Sequence, residues 1–400
     1  MPIVVSSLLD QAPADQALEA VERKGLGHPD TICDALAEEL SLALSRFYLE
    51  RFGCVLHHNV DKVLLRGGSS RPAFGGGEVT EPIEIYIAGR ATCEHGGVRV
   101  PVTELAVEGT RTWLRRHLHA LDVERHVRVH CLVRPGSSEL VELFERGRAA
   151  PSRLANDTSF GIGFAPFSPL ERAVLEVEHA LRRAPAAERG EDVKVMGIRT
   201  GARAELTLAC AMIGGPLRDL DAYLEARERT RALAEDAARQ SFGGEAALAI
   251  NTADAPARGE VYLTVTGTSA EAGDDGQTGR GNRASGLITP SRPMTLESIA
   301  GKNPISHVGK LYNCAATEIA ELLVRELEEL REARVLLVSR IGRPIREPQA
   351  AQLMLRSEPG CSFAALAERA RSIAATYLEE IDELWRRLIE RNLATGEPAG

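Results

Sequence analysis

The stretch that most restricts how this chain can fold is Gly273 to Arg283, GDDGQTGRGNR. It holds two adjacent carboxylates, two arginines and four glycines, with Gly286 just beyond, and no aliphatic or aromatic side chain. Such a run cannot build a core, so the segments around it must supply one while it stays a polar loop. Those segments do carry periodic apolar patterns. Residues 31–52 repeat Ile32, Ala35, Leu36, Leu40, Ala43, Leu44 and Phe47 at helical spacing, with Gly53 as the stop. Residues 83–91, IEIYIAGRA, alternate as a half-buried strand does.

The same reading predicts helices over 103–121, with Thr103 as N-cap, from Ser168 or Pro169 to about 183, over 219–242, 311–331 and 362–391. It predicts extended segments at 54–66, 126–133, 260–267 and 334–341, and a strand pair around Gly201. Residues 72–78, PAFGGGE, and 156–169, NDTSFGIGFAPFSP, read as loops. Strands and helices in alternating pairs imply an α/β or α+β fold with mostly antiparallel hairpins. No repeat is visible in the letters.

Four hundred residues that are 44% hydrophobic suffice for a sizeable core. A formal net charge of -9 argues against a general nucleic-acid binder, although local basic clusters remain able to hold a small anion. Seven dispersed cysteines without CxxC spacing suit a reducing cytoplasm better than a disulfide framework. The start, MPIVVSSLLDQAPADQ, lacks a signal-peptide pattern, and no apolar stretch approaches a membrane span, so a soluble cytoplasmic protein is expected.

Four polar loops carry the candidate chemistry. In KGLGHPD, residues 24–30, Asp30 reads either as a helix N-cap or, beside His28, as a Mg2+ ligand near a phosphate held at a helix N-terminus. In HHNVDKVLLRGG, adjacent strand positions face opposite ways, so His57 and His58 do not share one zinc ion without a turn, and Asp61 with Lys62 reads equally as a solvated pair. In NDTSFGIGFAP, Asn156 and Asp157 suit a simple turn or a nucleoside site, with Phe160 as an aromatic neighbour. The fourth loop is the opening run and its continuation to residue 313. Asp274, Asp275, Arg280, Arg283, Arg292, Lys302, His307 and Lys310 alternate in charge on a glycine-rich backbone. Carboxylates for Mg2+ and cations for phosphate oxygens would make it a polyphosphate clamp; a solvated face is the alternative.

Taken together, VERKGLGHPDTICD, HHNVDKVLLRGG, FGGGEV, NDTSFGIGFAP, DVKVMGIR and TGTSAEAGDDGQTGRGNRASGLITPSRPMTLESIAGKNPISHVGKLYN resemble the S-adenosylmethionine synthetase (methionine adenosyltransferase) family, archaeal type. GHPD alone is a weak signal; six blocks in the family's order are specific and cover nearly the whole chain. The resemblance implies three interwoven α/β subdomains in pseudo-threefold arrangement, forming one unit over residues 1–400. It implies ATP and L-methionine as substrates, Mg2+ and K+ as cofactors, and a homodimer, or a tetramer, with active sites between subunits.

It also implies roles. His28 matches the histidine near the breaking C5′–oxygen bond, and Asp30 a Mg2+ ligand. Lys194 matches a phosphate-binding lysine, Arg280 the arginine that holds tripolyphosphate, and Lys302 the lysine of a GKDP block. Asp157, with Asn156 before it, falls at a methionine and nucleoside loop, and Asp274 at an aspartate contacting methionine or ribose. Three departures stand out. Gly281 occupies a position where bacterial and eukaryotic members carry lysine, which leaves Arg283, Arg292 or Lys310 to fill the gap. Asp275 is the candidate for a second Mg2+ ligand, and HHNVDKVLL offers no match to the bacterial potassium-site glutamate. The GHPD loop of one subunit is expected to meet the 273–310 loops of the other. Two alternative readings stand beside this one: a different Mg2+-dependent polyphosphate enzyme, such as a kinase or tripolyphosphatase, and a non-catalytic nucleotide-binding regulator.

Overall fold

The computed structural model describes residues 3–136 and 152–390, together with residues 142, 144 and 146. Within them one order of elements recurs. Helix α1 (Pro29–Phe52) is followed by strands β3 (His58–Arg66) and β6 (Ile83–Ala91), helix α2 (Val102–His117) and strand β7 (Val127–Pro135). Helix α3 (Pro169–Arg183) is followed by β9 (Arg189–Thr200), β10 (Arg203–Ile213), α4 (Leu220–Phe242) and β11 (Glu245–Ile250). Helix α5 (Val308–Glu326) is followed by β13 (Leu330–Val338), β14 (Ala350–Ser357) and α6 (Phe363–Glu379). The strand that would close this third set is supplied from the other end of the chain by β1 (Ile3–Ser7).

Three further strands precede the leading helices: β2 (Leu18–Lys24) before α1, β8 (Phe160–Ala165) before α3, and β12 (Gly276–Gln277) before α5. Each joins the sheet of a different set. The resulting sheets run β12-β3-β6-β7, β2-β9-β10-β11 and β8-β13-β14-β1. In all three, the first two pairings are antiparallel and the last is parallel. Two of the three parallel pairs, β6-β7 and β10-β11, are bridged by helices α2 and α4, the crossover that consecutive parallel strands require. Because each set borrows its first strand, the three are interwoven, as the sequence reading expects.

Each sheet buries one face under its two helices, and there are three corresponding cores. Leu36, Leu40 and Trp113 belong to the first, Leu170, Val195 and Tyr223 to the second, Leu311, Tyr312 and Val335 to the third. On the opposite sheet faces Val4, Leu18, Leu64, Leu132, Phe160 and Ile198 are exposed.

Local chemistry explains the leading helices. Ser168 and Glu171 form a reciprocal capping box at α3, with Pro169 at the first helical position. Gly53 ends α1 in the left-handed region at φ 70°. Several expectations are corrected. The N-cap of α1 is His28, not Asp30, and that of α2 is Pro101, not Thr103. Residues 72–78 belong to a hairpin of β4 (Ser69–Ala73) and β5 (Gly76–Glu81), whose only break is Phe74-Gly75. Half of 156–169 is strand β8. Of the strand expected at 260–267, only Leu263–Thr264 is extended, while β1, β2, β11 and β14 are strands that the sequence reading does not predict. The helix expected over 362–391 is interrupted after Glu379 and resumes as α7 (Leu384–Glu390); residue 391 lies outside the described residues.

The glycines of β8 have a packing reason. A side-chain carbon on Gly163 would lie 2.2 Å from the Ala316 carbonyl carbon, and one on Gly161 2.1 Å from that of Tyr312, so α5 lies directly on the strand. Gly163→Ala is therefore expected to destabilise the protein by about 2 kcal/mol or more, read as a lower urea midpoint at unchanged slope.

Candidate active site

Strand β2 ends at Lys24 and the chain turns through Gly25-Leu26-Gly27 into α1. The turn lies tight against β9: Gly25 N donates to Val193 O (2.6 Å) and Gly27 N to Glu191 O (2.9 Å). A side-chain carbon on Gly27 would lie 2.3 Å from Asp192 N, so only glycine fits. His28 then caps the helix, its Nδ1 accepting from Asp30 N at 3.2 Å, and Pro29 takes the first position. Since Nδ1 is an acceptor here, the ring proton sits on Nε2. Burial, then the neighbouring Lys24 ammonium, pushes the His28 pKa down to about 4. The residue is thus a neutral N–H donor at a helix N-terminus that itself favours anions.

Around it stand groups from four segments. Asp30 accepts from Lys24 Nζ (2.9 Å) and Gln277 N (3.0 Å), and Arg280 Nε lies 4.0 Å from it with most of the guanidinium exposed. Lys24 also donates to Arg280 O at 2.7 Å. Lys194 is the cross-strand partner of Lys24, and its Nζ lies 3.5 Å from Glu22. Glu22 lies 3.8 Å from Lys24 Nζ as well as 3.5 Å from Lys194 Nζ, which offsets the repulsion between the two cross-strand cations. Asp274 Oδ2 lies 3.0 Å from Ser269 Oγ, which also contacts Asp192 at 2.5 Å. Burial raises the Asp192 carboxyl to about 7. His28, Asp30, Lys194, Asp274 and Arg280 therefore come together within one chain, so GHPD meets residues 274–280 of the 273–310 loops without a second subunit.

The run itself is held from α1. Asp34 accepts from Gly279 N at 2.7 Å, one turn beyond Asp30, and burial raises its pKa to about 6. One turn further, Glu38 accepts from Gly301 N (3.0 Å). A side-chain carbon on Gly281 would lie 2.1 Å from Asp34 Oδ2, which explains why no longer residue stands there.

A second cleft, of 770 Å3, opens on the other side of Gln277-Gly279. Lys302 lies in its floor, 2.9 Å from Glu297 and 3.3 Å from Asp61. Asp157 and Phe160 line its rim. His307 caps α5 as His28 caps α1, its Nδ1 accepting from Gly309 N at 3.2 Å, and burial pushes its pKa down to about 3.

Other predicted residues are placed elsewhere. Lys310 is fully buried, 2.7 Å from both oxygens of Glu38. Arg292 is buried between Glu171 and Glu332. Arg283 donates to the carbonyls of Gly279 and Gly281 and braces the loop. Arg292 and Lys310 thus lie away from Gly281, whereas the Arg283 guanidinium reaches the Gly281 carbonyl at 2.8 Å and Lys24 Nζ lies at the neighbouring Arg280 carbonyl. Asn156 accepts from Val308 N at the start of α5, and Asp275 accepts from Gly67 N, so both organise backbone. Sequence reasoning missed Lys24, Asp34, Asp192 and Glu297. The only signal for Asp34 was its spacing, four residues after Asp30 and four before Glu38 on a helix that is otherwise largely buried.

The sequence signature of S-adenosylmethionine synthetase (AdoMet synthetase) matches residues 1–392. A probable S-adenosylmethionine synthase of Aquifex aeolicus is 50% identical over 397 residues, covering 98% of this chain and 99% of the relative. S-adenosylmethionine synthases of Hyperthermus butylicus and Aeropyrum pernix are 49% and 48% identical, covering 95% and 98% of each chain. The chain belongs to the S-adenosylmethionine synthetase family. In this synthetase fold the two clefts flank the same two-residue strand, β12, and no helix among the described residues is long and apolar enough to cross a membrane.

The His28 environment makes a direct prediction. In a histidine NMR titration, His28 is expected to have its midpoint near 4 rather than the ordinary 6.5. Lys24→Met removes a charge that opposes protonation, so the midpoint should move upward; an unchanged midpoint would contradict the arrangement.

Proposed function

We propose that the protein synthesises S-adenosylmethionine from ATP and L-methionine. The methionine sulfur attacks C5′ of ATP and displaces tripolyphosphate, which is then hydrolysed to pyrophosphate and phosphate. The observation that carries this reading is the meeting of a neutral His28 N–H, the Lys24, Lys194 and Arg280 cations and Asp30 at the α1 N-terminus, in a chain of this family.

The chemistry asks for these groups. A thioether needs no base to act as a nucleophile, so the barrier lies in the departing chain, which carries about four negative charges at neutral pH. His28, uncharged and with its proton on Nε2, donates a hydrogen bond to the oxygen leaving C5′ without first losing a proton to its surroundings. Lys24, Lys194 and Arg280 bind the phosphate oxygens, and the helix N-terminus adds its partial positive charge. Asp157, Phe160 and Lys302, in the neighbouring cleft, contribute to holding adenosine and methionine so that sulfur and carbon are aligned.

The donor set suits Mg2+. Asp30 and Asp274 are hard oxygen ligands, both acting on His28, and among the described residues no group of three or more His, Cys, Asp or Glu side chains is arranged to hold a metal by itself. A Mg2+ held by one or two carboxylates and completed by substrate phosphates fits that arrangement. When bound, the ion neutralises charge on the leaving tripolyphosphate. K+ belongs to the same reading as a second cofactor.

A second copy of the chain is the partner this reading implies. The open faces of the three sheets expose Val4, Leu18, Leu64, Leu132, Phe160 and Ile198, a spread of apolar residues suited to an isologous contact. Lys194 stands on the same side of its sheet as Ile198, which brings the site to that contact.

Two measurements test the proposal. Incubation with ATP, methionine and Mg2+ should give an adenosyl-sulfonium product with both phosphate and pyrophosphate; ADP with phosphate, or intact bound ATP, would reject it. For the assembly, His28→Ala and Lys302→Ala chains are mixed after separate purification. If the two clefts of one site come from different subunits, half of the dimers carry one intact site and activity returns to about a quarter of wild type. His28→Ala mixed with Arg280→Ala should stay inactive, because those residues meet within one chain.

A further inference from the structure

Behind the His28 turn lies another cavity, of 490 Å3, between the C-terminal ends of α2 and α3 and the start of β9. Leu26, Leu181, Pro185 and Val193 form an apolar wall, while His117 and Arg189 face the same space. Arg189 is only 8% exposed. Its Nη2 donates to the carbonyls of Leu181 (2.9 Å) and Ala184, and it forms no ion pair among the described residues. Burial pulls its pKa down. The Nε2 of His117 is buried without a hydrogen-bond partner. Of the acids of the wall, Glu178 is paired with Arg23 at 2.8 Å, and Glu191 meets His119 through Oε1 at 2.6 Å while its Oε2 is buried without a hydrogen-bond partner.

A buried guanidinium bonded only to carbonyls, with Glu188 and Glu191 acting on it from beyond ion-pair distance, is unfavourable, as is an unpaired ring nitrogen. Here both border a space large enough for a small molecule. We propose that this cavity is a second binding site, which takes a monoanionic carboxylate with an apolar body. The carboxylate pairs with Arg189 and accepts from or shares a proton with His117, and the body lies on Leu26, Leu181 and Val193.

The site touches the catalytic turn through one strand segment. Glu191 and Val193 line the cavity, and their carbonyls hold Gly27 and Gly25. Between and beyond them, Asp192 holds Ser269 and Lys194 stands beside Glu22 on the side of the ATP-binding groups. Leu26 enters the cavity from the turn that places His28. An occupant would tighten the turn, so binding there is read out at residues 24–30 whatever reaction the enzyme performs.

The test uses full-length protein without ATP or methionine, with 3-phenylpropionate as probe and 3-phenylpropanol as its neutral counterpart. Calorimetry should show saturable binding of the carboxylate with Kd below about 1 mM, and binding of the alcohol about tenfold weaker. Hydrogen exchange of the peptide covering residues 24–30 should slow when the carboxylate is present. Arg189→Met should abolish the preference for the carboxylate, and Ala186→Phe, which fills the cavity from its rim, should abolish binding of both probes. Equal affinity for the two probes, wild-type affinity in Ala186→Phe, or unchanged exchange at residues 24–30 would each overturn the proposal. If Arg189→Met does not fold, Ala186→Phe decides alone. No readout involves turnover, so this site and the proposed reaction can fail independently.

Discussion

The interaction on which the rest of the structure depends is a row of three carboxylates on one face of α1. Asp30, Asp34 and Glu38 follow one another at a single helical turn, and each accepts a backbone N–H from the long polar segment: Gln277, Gly279 and Gly301. That segment has too few apolar side chains to order itself by burial. Hydrogen bonds to charged acceptors are roughly twice as strong as neutral ones, and three of them in register make a substitute for a hydrophobic contact. The buried pair of Lys310 with Glu38 anchors the far end. A glycine-rich charged run thereby becomes part of a rigid wall.

The same row contributes to the electrostatics of the site. Asp30 draws Lys24 and Arg280 toward the N-terminus of α1, and burial, aided by Lys24, keeps His28 neutral. Asp34 lies where a side chain at position 281 would begin, while Lys24, from the borrowed strand β2, and Arg283 bring their charges to the carbonyls of Arg280 and Gly281.

How far the site was legible follows from this geometry. His28, Asp30, Lys194, Asp274 and Arg280 were recognisable because they lie in short blocks with unusual residues at fixed offsets. Lys310 and Arg292 looked equally suitable, since a sequence shows the charge and not its partner; both proved to be interior ion pairs with acids far away in the chain. Lys24 stood at the head of the KGLGHPD loop without an assigned role, because its partners, Asp30 and the Arg280 carbonyl, are brought to it by the fold. The threefold order of elements was invisible for a related reason. The three sets share topology and not letters, and each exchanges a strand with another, so no contiguous segment repeats. The glycines of β8 made that strand read as a loop, when in fact they make room for α5.

By itself, the sequence determined the α/β character, most of the helices and the strands with strong alternation, because these follow from short-range periodicity and from caps such as Ser168 and Gly53. It also determined the family, through blocks whose residue types suit a polyphosphate-handling site. Tertiary structure alone decided which charges face one another, which glycines mark close approach, and which strands complete which sheet. Those are relations between segments as much as 346 positions or more apart, as with Asp10 and Arg356. Their energies depend on distance and burial, and neither is written in the local order of residues.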